Sequence, residues 1–389
     1  MGEYGNQPIK EHKADKNMEN KRKSQVKWLL NIGVLITVIL LAYVVDVFVY
    51  RAKAEPPTGV HYTNRNSSHH TVQEQLQVLS KNEELIRLAF EGREEEKEYG
   101  TYVIPGLTST RTLEIAEGGQ IASCSSMTPQ GITVTEEYVL ISAYCKTKKH
   151  NSVIYVLNKK NHRFIKTLVL PGRPHAGGLA YDSIHGRIWY SSHDQGIAQA
   201  VSIQLEALKK YHFEREQLPI EVEYTYLYGV IRDSFLTFYD NSLYVGYFSG
   251  TGAGTLVRYE VNDTGGLVTE EERQLAMDMV MAIPEDSGVI PPCVQGIAFY
   301  QGYMLLSQSY GILPSSLSVY KEDKNIYYAE GNELIEYQMP ERMEQICVDG
   351  DHLYVVFESA AYAYRASSLN IVDRALKLNL KKVLVDLEN

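Results

Sequence analysis

An all-β fold made of about five repeated sheets is the architecture the sequence predicts, and three observations carry it. Tyrosine outnumbers phenylalanine 29 to 9, and tyrosine suits half-buried strand surfaces. Helical periodicity ends at Gly100. Beyond that point one pattern recurs at spacings of 47 to 62 residues: GITVTEEYVLISAYC from Gly131, GLAYDSIHGRIWYSSHD from Gly178, SFLTFYDNSLYVGYFS from Ser234, GIAFYQGYMLLSQSYG from Gly296 and QICVDGDHLYVVFES from Gln345. Each is a short apolar strand, a polar turn and a longer strand rich in Leu, Val and Tyr.

The chain before the repeats divides by composition. Residues 1–27 form a basic arm with seven Lys/Arg against four acids, while the whole chain carries a formal −10, so residues 28–389 carry −13. A surface that acidic repels phosphate backbones and argues against a nucleic-acid partner. Residues 28–50, WLLNIGVLITVILLAYVVDVFVY, form an apolar run interrupted only by Asn31 and Asp46. This length predicts a transmembrane signal-anchor helix, and the preceding excess of Lys/Arg predicts a cytoplasmic N-terminus with everything after Tyr50 outside. The competing reading is a cleaved signal peptide ending at Ala52-Lys53-Ala54; the long basic arm and the long apolar run weigh against it.

Residues 51–70 are polar, contain a Pro pair, and read as a linker. Thr71-Val-Gln-Glu74 has the form of a capping box, and Val72, Leu76, Leu79, Ile86 and Phe90 follow at helical spacing, with Glu83 breaking one position. A juxtamembrane helix over 71–99 is expected, either packed on the domain or standing as a stalk. A short coiled coil giving a weak stalk-mediated dimer is the lesser alternative, since fewer than three heptads carry it.

Residues 100–389 hold the repeats. A small residue recurs late in the second strand of four units, Ser142, Ser191, Gly246 and Ser307, with Val356 in the fifth. Third strands follow as SVIYVLN, QAVSIQ, TLVRYEV, SLSVYK and AYAYRAS, and four units then offer a more polar fourth, such as RFIKTLVL. A four-stranded sheet cannot bury both faces alone, so such units stack around an axis. That arrangement is a β-propeller of about five blades. Residues 101–123 carry strand-like runs that either complete the last blade or belong to a sixth.

Within this frame SVIYVLNKKNHRFIKTLVLPGRPHAGGLAYDSIHGRIWYSS, Ser152 to Ser192, resembles the repeat of surface-layer and lactonase-like propellers. That repeat shows a Y-V-x-[ND] strand, a turn, a T-[IV]-x-[VL] strand and then G-x-x-P-H-x-[GA]. The resemblance spans one repeat length, is poor in the third and fifth units, and implies architecture rather than activity.

All four cysteines, Cys124, Cys145, Cys293 and Cys347, lie in the expected extracytoplasmic part. Neighbourhood in sequence favours Cys124 with Cys145 and Cys293 with Cys347 if disulfides form, and free thiols are the alternative. None stands in a C-x-x-C pair, so no zinc site is expected. Asn66 and Asn262 head N-x-[ST] triplets.

Candidate ligand residues are those a propeller would bring to its channel: Gln130, Asp233, Gln295 and Glu344 ahead of inner strands, His175 slightly earlier, and Tyr144, His193, Gln308 and Glu358 at the far ends of second strands. His185, in a turn, is expected to be solvated. Asp194, Asp233, Glu344 and Glu358 could supply a glycosidase's two carboxylates, and His175, His193 and Glu344 a divalent metal. There is no H-E-x-x-H, EF-hand loop or G-x-S-x-G elbow. The expectation is a membrane-anchored binding or scaffolding module for a protein, peptide or glycan at the cell surface, with no cofactor. The alternative is a propeller hydrolase of lactonase or glycosidase type; a quinoprotein redox enzyme ranks third, as no cofactor motif is evident.

Overall fold

The computed structural model describes residues 8–44, 72–92, 100–116, 119–269 and 280–388. Near the N-terminus a helix runs from Pro8 to Val44, and its part Gln25–Val44 is 20 residues with mean hydropathy 2.0, long and apolar enough to cross a membrane. The remaining residues of the expected 28–50 span, the 51–70 linker and Asn66 lie outside the described residues.

The repeats form a five-bladed β-propeller. Blade 1 is Met127–Val134, Tyr138–Cys145, Val153–Asn158 and Phe164–Val169, an antiparallel meander. Blade 2 is Leu179–Asp182, Arg187–Asp194, Ile197–Gln204 and Glu223–Leu227, extended by a short parallel strand, Met281–Ala282. Blade 3 is Phe235–Tyr239, Ser242–Tyr247, Gly254–Glu260 and Asp286–Ile290; blade 4 is Val294–Tyr300, Tyr303–Gln308, Ser315–Lys321 and Ile335–Met339. Blade 5 is Met343–Asp349, His352–Phe357 and Arg374–Asn379, with Tyr102–Val103 as its outer strand. The inner strands neighbour one another in the order of the blades, and blade 5 returns to blade 1.

Tyr102 pairs with Ala375 and Val103 with Arg374, so the chain's own N-terminal side closes the ring. No sixth blade forms among the described residues, and the strand-like run after Val103 makes a separate hairpin, Thr110–Leu113 with Ile121–Cys124. Closure within one blade leaves no long unpaired edge at the seam.

The cores lie between blades. One groups Ile132, Ile141, Tyr155, Leu179 and Tyr190 across blades 1 and 2, and others group Leu236, Val245 and Tyr259 with Trp189, and Phe235 and Leu256 with Ile297 and Leu306. Among the tyrosines of the second strands, Tyr190, Tyr244 and Tyr354 are buried, while Tyr138 and Tyr303 are half-buried.

Two expectations are corrected. AYAYRAS is not the third strand of blade 5: Tyr362–Arg365 is a helical turn, and the strand is Arg374–Asn379. Its small-aromatic alternation imitates a strand, but buried Ala360 and Ala361 pack the turn against the blade instead. Within the expected helix over 71–99, of which Thr71 and residues 93–99 lie outside the described residues, the chain forms two helices, Val72–Leu79 and Glu83–Ala89, because Asn82 caps the second by accepting from Leu85 N at 2.8 Å. Glu83, which broke the apolar seam, opens that second helix. Leu79, Leu85 and Leu88 are buried against blades 4 and 5, Gln75 hydrogen-bonds the backbone of Ile371 and Asp373, and the C-terminal helix Leu380–Glu388 joins this layer through Arg87 and Asp386.

Candidate functional site

The recurrent small residue of the second strand shapes the hub. Ser142 Oγ accepts from Gly131 N at 2.8 Å and donates to Ala176 O at 2.6 Å; Ser191 Oγ accepts from Gly178 N at 2.8 Å, and Ser307 Oγ reaches Gly296 O at 3.4 Å. In blade 3 the Phe235 ring fills this space, leaving room only for Gly246. The inner strands approach so closely that a Cβ on Gly178 would stand 2.3 Å from Leu236 N.

Gln345 plugs the axis. Its Oε1 accepts from Ile132 N at 2.9 Å and Leu179 N at 2.8 Å, while its Nε2 donates to Leu179 O at 2.8 Å and Leu236 O at 2.7 Å. All four of its hydrogen-bonding positions are satisfied by the inner strands of blades 1, 2 and 3. The channel is therefore two separate mouths.

The inner strands of blades 1, 4 and 5 shift register between Pro129 and Ile132, Val294 and Gly296, and Met343 and Ile346. Such bulges re-aim side chains, and they fall on Gln130, Gln295 and Glu344. Cys293 and Arg342, at equivalent positions just ahead, both adopt a left-handed φ of 63°. A rim holding non-glycine residues in this conformation carries backbone strain.

At the mouth where inner strands begin, Glu344 and Glu358 lie side by side and are 6% and 9% exposed. Glu358 accepts from Gln130 Nε2 at 3.0 Å and from Arg342 Nη1 at 3.4 Å. Arg342 also donates to Ser367 and Ser368 and covers the Tyr364 ring at 4.3 Å. Lys146 Nζ donates to Tyr364 Oη at 2.5 Å and Tyr144 Oη at 3.3 Å, and the Tyr144 ring packs on His175 at 4.4 Å. Glu344 makes no hydrogen bond or ion pair with the described residues.

Electrostatics separate these groups. Burial pushes Glu358 up to about 7, opposed by Arg342 and Lys146. Burial, then the neighbouring Glu358 charge, pushes Glu344 well above the carboxylate range. Burial lowers Lys146. His175 is lowered by the protein packed around it, then by Lys146 and His193, although its ring remains open to solvent on one side. The mouth thus gathers two carboxyls and an imidazole whose charged forms burial disfavours, beside the Lys146 and Arg342 side chains.

Of the sequence candidates, Gln130, Tyr144, His175, Glu344 and Glu358 meet here. His193 is exposed on an adjoining groove of about 820 Å³ lined by Tyr144, His175, Tyr224 and Tyr226. Asp233 does not converge: burial raises its pKa, and its carboxylate accepts from Ser192 N at 2.6 Å, tying blade 3 to blade 2. Gln308 is spent within blade 4 on Pro292 O and Ser318 Oγ, each at 3.0 Å, and Gln295 is half-buried in its bulge. His185 is not simply solvated, since it is half-buried and its Nδ1 lies 2.8 Å from Asp182 Oδ2. The metal triad of His175, His193 and Glu344 does not assemble among the described residues. Sequence reading missed Lys146, Tyr364 and Gln345. No disulfide joins the four cysteines: Cys124 and Cys145 are neighbours, whereas Cys293 sits at Gly250 O and Cys347 beside Thr133, at opposite ends of inner strands.

No family model matches the chain, and no curated protein matches it significantly. Among solved structures, it is similar to a GH43_1 enzyme from Xanthomonas citri at 10% identity (TM-score 0.41, covering 78% of this chain and 92% of that one). A putative oxidoreductase (glucose dehydrogenase) of Thermus thermophilus aligns at 15% identity with TM-score 0.39, covering 75% and 95%. The WD40 repeats of RRP9 align at 10% identity with TM-score 0.38, covering 69% and 99%. The chain is a β-propeller protein with five blades.

Proposed function

We propose that this protein is a membrane-anchored, extracytoplasmic binding module that takes a saccharide of the cell surface into the charged mouth of its propeller. One observation carries the reading: Glu344, 6% exposed and without a protein hydrogen bond among the described residues, lies near Tyr144 and Tyr364 beside Glu358, and Tyr144 packs on His175. A buried carboxyl left without a partner is costly unless something supplies one. A sugar offers hydroxyls that both donate to and accept from a carboxyl, and a C–H face that packs on Tyr144 and His175. Lys146 and Gln130 lie beside it to complete the polar contacts. The Gln25–Val44 helix and the basic arm before it support attachment to a membrane with the propeller outside.

The full chain in detergent is titrated calorimetrically with soluble oligosaccharides representing cell-surface polymers. At least one is expected to bind, and Glu344→Ala to weaken it at least tenfold, matching about 1.4 kcal/mol or more for a buried hydrogen-bonded group. Absence of binding across the panel, or unchanged affinity in the variant, overturns the reading.

Glycoside hydrolysis is the second reading, and the Glu344–Glu358 pair specifically favours it. Two neighbouring buried carboxyls that disfavour carrying charge together can share a proton, as an acid paired with a nucleophile or base requires. Product release from aryl glycosides by the wild type, lost in Glu344→Gln while binding persists, would select hydrolysis over simple binding.

A further inference from the structure

Away from the charged mouth, three soft donors converge. Cys124 ends the second strand of the Thr110–Cys124 hairpin, Cys145 ends the second strand of blade 1, and His150 lies in the loop that follows. Both cysteines are 1% exposed and the histidine is half-buried. One donor atom from each lies within 4.8 Å of the others. Cys145 Sγ stands 3.3 Å from His150 Nδ1 and 3.1 Å from Thr147 Oγ1.

The backbone holds this arrangement from both sides. Glu114 bridges His150, Ile115 N donates to Lys149 O at 2.8 Å, and Asn151 N donates to Leu113 O at 2.8 Å. The donors are therefore placed by two elements already hydrogen-bonded together, with little left to order. A tetrahedral ion with about 2.3 Å to sulfur and about 2.0 Å to nitrogen separates those two atoms by roughly 3.5 Å, close to the spacing of Cys145 and His150.

We propose that Cys124, Cys145 and His150 bind one zinc ion, with water as the fourth ligand. Binding releases the protons still carried by the two thiols to solvent and leaves His150 neutral, with no change of oxidation state. The consequence is structural. The outer strand that closes blade 5 is only Tyr102–Val103, and the hairpin that follows it would be pinned to blade 1 by the ion. The C-x₂₀-C-x₄-H spacing is unlike a zinc ribbon, which is why sequence reading expected no site.

The test uses the full chain in detergent, reduced, stripped with a chelator, and titrated with Zn²⁺ alone and separately with Co²⁺. One zinc per chain is expected, with a rise of several degrees in melting temperature. Co²⁺ is expected to give thiolate charge-transfer absorption and tetrahedral ligand-field bands. The Cys124→Ser/Cys145→Ser variant should lose stoichiometric binding and the thermal shift, His150→Ala should weaken binding at least tenfold, and His193→Ala should leave it unchanged. Should the double variant not fold, the cobalt spectrum of the wild type decides alone. No thiolate band, zinc retained by the double variant, or a Cys124–Cys145 disulfide found by mass spectrometry in protein isolated without reductant would each overturn the proposal.

Discussion

The two mouths of the hub are built from the same inner strands and have opposite chemistry. Where the strands begin, Glu344, Glu358, Arg342, Lys146, Tyr144 and Tyr364 crowd together. Where they end, a cavity of about 430 Å³ is lined by Thr133, Ala180, Thr237, Phe238, Ala298, Phe299 and Cys347, with the Lys159–Asp349 pair at its edge at 2.8 Å. The strands themselves do not dictate this difference. Bulges at Gln130, Gln295 and Glu344 disturb the period-2 alternation at one end only, and helix Tyr362–Arg365 adds a phenol there. Regular pairing gives a quiet end, and broken pairing gives a chemical one.

The largest effect is expected where the two mouths are separated. Gln345→Leu leaves the N–H groups of Ile132 and Leu179 and the carbonyls of Leu179 and Leu236 without their partner. At about 1–3 kcal/mol for each buried unsatisfied group, partly offset by relaxation, a loss of roughly 4 kcal/mol is expected. Chemical denaturation measures it. A loss below about 1 kcal/mol would mean that the plug does not hold the hub.

A smaller effect, with a definite sign, comes from the charged mouth. Glu358 titrates near 7 in the folded state against an ordinary 4.5, so between those values the folded chain keeps a proton that the unfolded chain has released. Stability therefore falls as pH rises through this window. His175 acts oppositely, because its folded pKa is depressed and stability is lost as pH falls below about 6.5. Glu358→Gln removes that group's share of the fall, at most about 3 kcal/mol, and leaves the share of Glu344, which burial raises in the same direction, so the decline of melting temperature from pH 4.5 to 8 should become shallower. A wild-type-shaped profile in that variant would show that the mouth is more hydrated than its burial implies.

How much of this was legible follows the same division. The blades were legible because packed antiparallel strands impose a period-2 pattern, and because Ser142, Ser191, Gly246 and Ser307 answer one steric demand at the hub. AYAYRAS misled because alternating small and aromatic residues satisfy a strand and a helical turn alike. Gln130, Tyr144, His175, Glu344 and Glu358 were found by equivalence of position in the repeat. Gln345 was hidden beside Glu344, since a bulge exchanges which of two adjacent residues faces the axis. Lys146 and Tyr364 reach the mouth by loop and helix geometry that no repeat encodes. Asp233 and Gln308 stand at equivalent positions too, but their hydrogen bonds go to neighbouring strands. Equivalence locates a residue without saying where its side chain is used.

The smallest expected effect tests the quiet end. Burial pushes the Cys347 thiol up to about 11, so it stays neutral throughout the range in which Glu358 titrates. Its Sγ lies 3.7 Å from Thr133 Oγ1 and 3.6 Å from Val348 O, contacts too long and too weakly polar to anchor the strand. Cys347→Ala removes one half-buried sulfur at a cavity that is already open, so about 1 kcal/mol or less should be lost. The pH profile of melting should keep the wild-type shape, displaced by a constant amount. If Cys347→Ala instead altered the slope between pH 4.5 and 7, the two mouths would be coupled through the Gln345 plug, because no titrating group of the charged mouth touches Cys347 directly. That coupling would then have to pass along the inner strand of blade 5, from Glu344 through Gln345 to Cys347, a path that Gln345→Leu would break.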